Sequence, residues 1–172
     1  RSLRPMFPDG LTNEVQIINT VFSYDGENDP DMLGLLGSCL GVMISEIPFD
    51  GPLTGLRIGY SKANQTFAIN PTMTERKTLD LDMIVSGNGK TVVMVEAGAN
   101  EVSEAVVVEA LMKSQEIFAG VCADMEKIVA EVGKTKVELI EKDAAKDARR
   151  AELKAAIKKG YADQIHSMVI ND

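Results

Sequence analysis

Apolar and polar positions change period several times along this chain. In "EVQIINTVFSYD" (14–25), Val15, Ile17 and Val21 alternate with Gln16 and Thr20, which predicts a strand. "GENDP" then reads as a turn. From Asp31, a candidate N-cap, the period lengthens to that of a helix ending near Pro48. Met32, Leu35, Leu36, Cys39 and Met43 supply its apolar face. Gly34, Gly37 and Gly41 form a stripe of small residues, which predicts close packing on a backbone surface.

After the loop "FDGPLTG", alternation returns. "LRIGY" and "TFAINP", joined by "SKANQ", predict one hairpin. "LDLDMIVSG" and "TVVMVEAG", joined by "NGK", predict a second. Ser103 can cap a long helix in which Val106, Ala110, Ile117, Val121, Met125, Ile128 and Val132 recur at helical spacing, with Gly133 as its stop. Strand, helix, two hairpins and helix make an α+β layer on a mixed or antiparallel sheet. Beyond Gly133 the chain becomes rich in Ala, Lys and Glu, with sparse apolar positions at Val137, Ile140, Leu153 and Ile157. That pattern predicts a surface helix or helix pair outside the first core, with Gly160 separating a last short helix. The expected division is 1–133 and 134–172.

Charge refines this picture. The net charge is −8. Residues 1–133 carry 9 Lys and Arg against 19 Asp and Glu, and residues 134–172 carry 9 against 7. Nucleic-acid-binding domains are usually basic, so any RNA contact must be a local cluster. No run of 18 apolar residues marks a membrane span. The opening "RSLRPMFPDG" has no apolar core and no initiator Met, so it reads as a chain cut from something longer, without a signal peptide. Cys39 and Cys122 lie in apolar segments outside any Cys/His cluster and read as buried thiols of a cytosolic protein. His166 has no nucleophile elbow to serve and reads as a solvated or capping side chain.

Three places could carry chemistry. Asp80 and Asp82 stand two apart in a strand, so their carboxylates share a face and could hold a divalent metal. Ile84 follows on that face where a phosphate-binding lysine would be useful; Glu75 is near in sequence, but Arg76 and Lys77 beside it would compete for the carboxylates, so a solvated face fits the spacing better. The helix N-terminus near Asp31 could attract a phosphate. Asp29 and Asp31 already answer its dipole there, and Pro30 lacks an N–H. The third place is "RSLRP", where Arg1 and Arg4 could engage successive phosphates of a single strand, with Phe7 near enough to stack. A surface ion pair is the plainer reading of two arginines.

Taken together, "RPMFPDG", "NEVQ", "NDPD", "IPFDGP" and "INPT", in this order and followed by "LDLDMIVSG", resemble bacterial polynucleotide phosphorylase. The match is to its first RNase PH-like domain from about the middle onward. The stretch after 133 resembles the start of the all-helical domain that follows. The resemblance implies an RNase PH-like α+β fold, with a mixed sheet related to ribosomal-protein folds. It implies a cytoplasmic homotrimeric enzyme that uses inorganic phosphate to degrade single-stranded RNA from the 3′ end. Nucleoside diphosphates are released, the reaction is reversible, and Mg2+ or Mn2+ is used. RNA-degradation complex proteins are further possible partners, and no membrane is involved.

The family's catalytic centre lies in its second RNase PH-like domain, which this chain lacks. There two aspartates stand six residues apart and a lysine follows the second by two. The matching positions here are Arg76, Asp82 and Ile84, which leaves Asp82 as the remnant of a metal site and no catalytic residue in this chain. The family's serine-rich phosphate turn is replaced by Asp29, Pro30 and Asp31. The resemblance assigns Arg1 and Arg4 to the RNA path. The expected role is a non-catalytic copy that scaffolds the trimer and lines that path, inactive alone. The alternative is a purely structural oligomerisation module without RNA contact.

Overall fold

The computed structural model describes residues 1–139 and 144–170. The chain divides into two compact units, 1–139 and 140–172.

The first unit is built on four strands: β1 (Thr54–Ser61), β2 (Thr66–Ile69), β3 (Leu81–Gly87) and β4 (Val92–Ala99). Their order in the sheet is β2-β1-β3-β4, and all three pairings are antiparallel. Both predicted hairpins form. In the β3–β4 turn, Asn88 Oδ1 accepts the N–H groups of Lys90 and Thr91, and Gly89 takes φ +81°. A Cβ on Gly89 would stand 2.8 Å from Ala119 Cα, so glycine also lets this turn seat on the helix behind it.

Two long helices cover the sheet. Helix α1 (Asp31–Ile44) and helix α3 (Glu104–Val132) pack against β1, and α3 also packs against β3. One core cluster joins Leu56, Ile58, Leu81, Met83 and Val85 of the strands to Ala110 and Phe118 of α3. A second joins Met6, Cys39, Met43, Leu53 and Met125. Both cysteines are buried and free; burial pushes the Cys39 thiol up to about 11 and moves Cys122 in the same direction. The α3 face turns toward Ala110, Ser114, Phe118, Cys122 and Met125, leaving the predicted core positions Ile117, Ile128 and Val132 exposed.

Several expectations are corrected. The predicted strand at 14–25 is not a strand, because neither sheet edge pairs with it. A β-rich pattern needs a neighbouring ladder to satisfy its amides; here Ile18, Val21 and Phe22 are exposed instead. The segment rests on α1 through Asn19, whose Nδ2 donates to Ser38 Oγ at 2.8 Å. Gly34 alone of the glycine stripe meets it; a Cβ on Gly37 or Gly41 would find no atom within 4 Å, so the stripe does not pack on backbone. The turn after this segment is held by Asp25, which accepts N–H groups from Asn28 and Glu27 and is thereby lowered to about 2.

Pro30, not Asp31, is the N-cap of α1, and Asp31 sits in the first turn, where its Oδ1 accepts the Met32 N–H. The helix ends at Ile44 rather than near Pro48. Its last carbonyls are taken from outside: Lys136 Nζ donates to Val42 O, Met43 O and Ser45 O at 2.7–3.0 Å. Residues 134–139 are therefore not helical but laid against this helix end, with the Lys134 and Val137 amides donating to Ile44 O and Glu46 O. Gly133 does close α3, with φ −67°; a Cβ there would collide with Val129 O.

Among the described residues, the second unit consists of the helix α4 (Ala144–Ile170). It runs through Gly160 without the predicted break, a residue that costs a helix about 1 kcal/mol relative to Ala but does not stop it. His166, Leu153 and Ile157 are exposed on it. Ile140 lies outside the described residues. No helix among the described residues is long and apolar enough to cross a membrane.

Candidate functional site

The chemistry-bearing residues gather at two places. The first is a knot of charge over the β1–β3 pair. Arg57 of β1 lies opposite Ile84 of β3, and Asp82 lies opposite Gly59. Arg57 thus reaches diagonally, two residues along the ladder, to Asp82. Its Nη1 donates to Asp82 Oδ1 at 2.9 Å and Oδ2 at 3.1 Å. Its Nη2 donates to Asp31 Oδ2 at 2.8 Å and stands 3.7 Å from Asp29 Oδ2. Arg76 closes the circuit: Nε and Nη2 each lie 2.9 Å from Asp82 Oδ2, and Nη1 lies 3.3 Å from Asp29 Oδ2. Three carboxylates therefore share two guanidiniums, a net charge of −1.

The Arg57 side chain is only 10% exposed. Burial pulls its pKa down, but the hydrogen bonds it donates to Asp82 and Asp31 outweigh that and the net direction is upward. Its backbone N–H is also held, by Asn70 Oδ1 at 2.9 Å, while Nε is buried without a partner. A cavity of about 220 Å³ opens beside it, lined by Asn28, Asp29, Asp31, Met32 and Asn70 among others.

This knot decides how the site treats metal and phosphate. Asp82 has both oxygens engaged by guanidiniums, so it does not fit a divalent cation. Asp80 does not join it. It sits just before β3, and its Oδ2 accepts the Lys62 N–H at 2.8 Å. Asp80 is thus a clamp on the β1–β2 turn rather than a solvated neighbour, and the shared face inferred from spacing does not unite the two carboxylates. Glu75 is engaged elsewhere too. With Thr72 it forms a capping box at the start of the short helix α2 (Met73–Arg76). That helix aims Arg76 at Asp82. The N-terminus of α1 presents Asp29 and Asp31, both paired with arginine, so an incoming phosphate would meet carboxylates first.

The second place is the arginine turn. Residues Arg4–Met6 form a 3-10 turn. Three anchors fix it: Met6 is buried in the second core cluster, Phe7 packs edge-to-face on Phe49 at 5.1 Å, and the Ser86 hydroxyl donates to Ser2 Oγ at 3.0 Å in the interior. Beside these anchors Arg1 and Arg4 are exposed. They line an open groove of about 540 Å³ together with Leu3, Phe7, Asn13 and Val15 among others. Arg1 meets one acidic side chain, Glu96, at 3.2 Å.

Arg57 is the member of the charge knot that the sequence reading missed. Its signal was an arginine at the centre of the otherwise apolar strand "TGLRIGYS". The α2 capping box was also visible, as "TMTE", and likewise not used.

The fold is that of an RNase PH-like domain, and residues 52–117 match the 3′ exoribonuclease family, domain 2. Over 98% of its length the chain is 43% identical to the polyribonucleotide nucleotidyltransferase of Streptococcus thermophilus (strain CNRZ 1066). It is 43% identical over 97% of its length to that of Lysinibacillus sphaericus, and 40% identical over 98% to that of Alkaliphilus oremlandii. The chain is thus homologous to one stretch of the polyribonucleotide nucleotidyltransferases, the polynucleotide phosphorylases. It spans 22–23% of the length of these relatives.

Proposed function

We propose that this chain is the non-catalytic RNase PH-like copy within a homotrimeric, phosphate-dependent 3′-to-5′ exoribonuclease, followed by the start of the helical domain. The whole enzyme shortens single-stranded RNA and releases nucleoside diphosphates. Mg2+ or Mn2+ and the phosphate-handling groups belong to the sister RNase PH-like domain, where the metal supplies charge neutralisation at the transferring phosphoryl group. The contribution of this copy is to help build the ring and to line the RNA path with Arg1 and Arg4.

The observation that carries this reading is the charge knot. Where a catalytic copy needs free carboxylates for metal and a free cation for phosphate, this one ties Asp29, Asp31 and Asp82 to Arg57 and Arg76. Arg76, in the place of the first catalytic aspartate, satisfies the Asp82 carboxylate from within. The oligomerisation-only alternative draws on the exposed Ile18, Phe22 and Leu33, and differs in giving the arginine turn no role.

Manganese titration of the chain, followed by the EPR signal of free Mn2+, tests the knot. The expected result is no saturable binding at neutral pH. Stoichiometric binding that is lost in Asp82→Asn would overturn the non-catalytic reading.

A further inference from the structure

We propose that Glu96 is a built-in competitor for the RNA backbone at Arg1, releasing that arginine only when a phosphate takes its place. The inference rests on the reading of Arg1 and Arg4 as RNA contacts. Three observations lead to it.

First, Glu96 Oε2 receives a hydrogen bond from Arg1 Nη1 at 3.2 Å, the same kind of charge-assisted contact that a phosphate oxygen would make. Both side chains are well exposed, 80% and 63%, so the pair is open to exchange.

Second, the two partners are brought together by anchored backbone. Ser2, the next residue after Arg1, is buried and tied to Ser86 of β3. Glu96 lies on β4 opposite Ile84 of the same β3. Strand β3 thus sets the spacing of both backbones.

Third, Arg4 has no such partner: Asp9 lines the same groove, but no acidic side chain is paired with Arg4 among the described ion pairs. The two arginines are therefore unlike: Arg4 is a standing contact and Arg1 an exchanging one.

The chemistry suits a strand that must move. Between one backbone phosphate leaving Arg1 and the next arriving, Glu96 keeps the guanidinium paired, so the arginine is not left bare at mid-step. The cost is affinity, since each engaged phosphate must displace a carboxylate.

The test is a set of binding curves for a fluorescent oligoadenylate on the 172-residue chain at low salt, read by anisotropy. Glu96→Gln should bind about two- to five-fold more tightly, a gain of the size an exposed ion pair can withhold. The gain should vanish when Arg1→Gln is also present and persist when Arg4→Gln is present instead. A gain that persists in the Arg1→Gln background would reduce Glu96 to a general contribution to the acidic field and overturn the proposal, as would the absence of any gain. Should Arg1→Gln and Arg4→Gln each leave affinity unchanged, the RNA-contact reading itself fails, a result distinct from failure at Glu96 alone.

Discussion

Replacing Arg57 with Met is expected to lower the stability of the first unit by about 3 kcal/mol, measured by urea denaturation. The side chain is nearly buried, and Met is of comparable length, so lost packing is the smaller part. The larger part is electrostatic. Asp31 loses its ion pair at 2.8 Å and Asp82 loses one of two at 2.9 Å, and three carboxylates then face one remaining guanidinium. Removing one partner of a buried pair typically costs about 3–5 kcal/mol. The aspartates are 28–33% exposed, so water recovers some of that and the lower end applies. Loss of the unpartnered Nε offsets a little more. Arg76→Met should cost less, because Arg57 still holds Asp82 and Asp31. A change within about 0.5 kcal/mol for Arg57→Met would show that the knot does not hold the α1 N-terminus to the sheet.

Reversing both arginines of the turn, Arg1→Asp and Arg4→Asp, is expected to weaken single-stranded RNA binding ten-fold or more in a full-length enzyme carrying this segment. The fold should be retained, because the turn is anchored by Ser2, Met6 and Phe7 rather than by the arginines. The signature is the salt dependence. Each phosphate contact on a single strand contributes about −0.7 to the slope of log affinity against log salt, so losing two should flatten it by about 1.4. Unchanged affinity and slope would remove the RNA role and favour the oligomerisation-only alternative.

What was legible in the sequence was local. Both hairpins announced themselves through two-residue alternation and turn chemistry, and the α3 bounds through Gly133 and through Ser103, which takes the N-cap position without a side-chain capping bond. The α+β class followed from their order. Segment 14–25 was misread because alternation reports what a strand would bury, not whether a neighbour exists to pair with it. Asp80 and Asp82 were spaced for one face, yet the strand begins after Asp80, and that carboxylate turns to the Lys62 amide. Arg57 was missed because its partners come from α1 and from a diagonal neighbour on β3, contacts that no local window contains. The family resemblance adds an expectation that spacing could not: Arg76 in the place of a catalytic copy's carboxylate. The structure adds that this arginine grips Asp82.

The most direct measurement of the central claim is phosphate-dependent release of ADP from poly(A) by the isolated 172-residue chain, with Mg2+ or Mn2+ present. A non-catalytic copy predicts no ADP above a no-protein control. ADP release that requires phosphate and scales with chain concentration would contradict it.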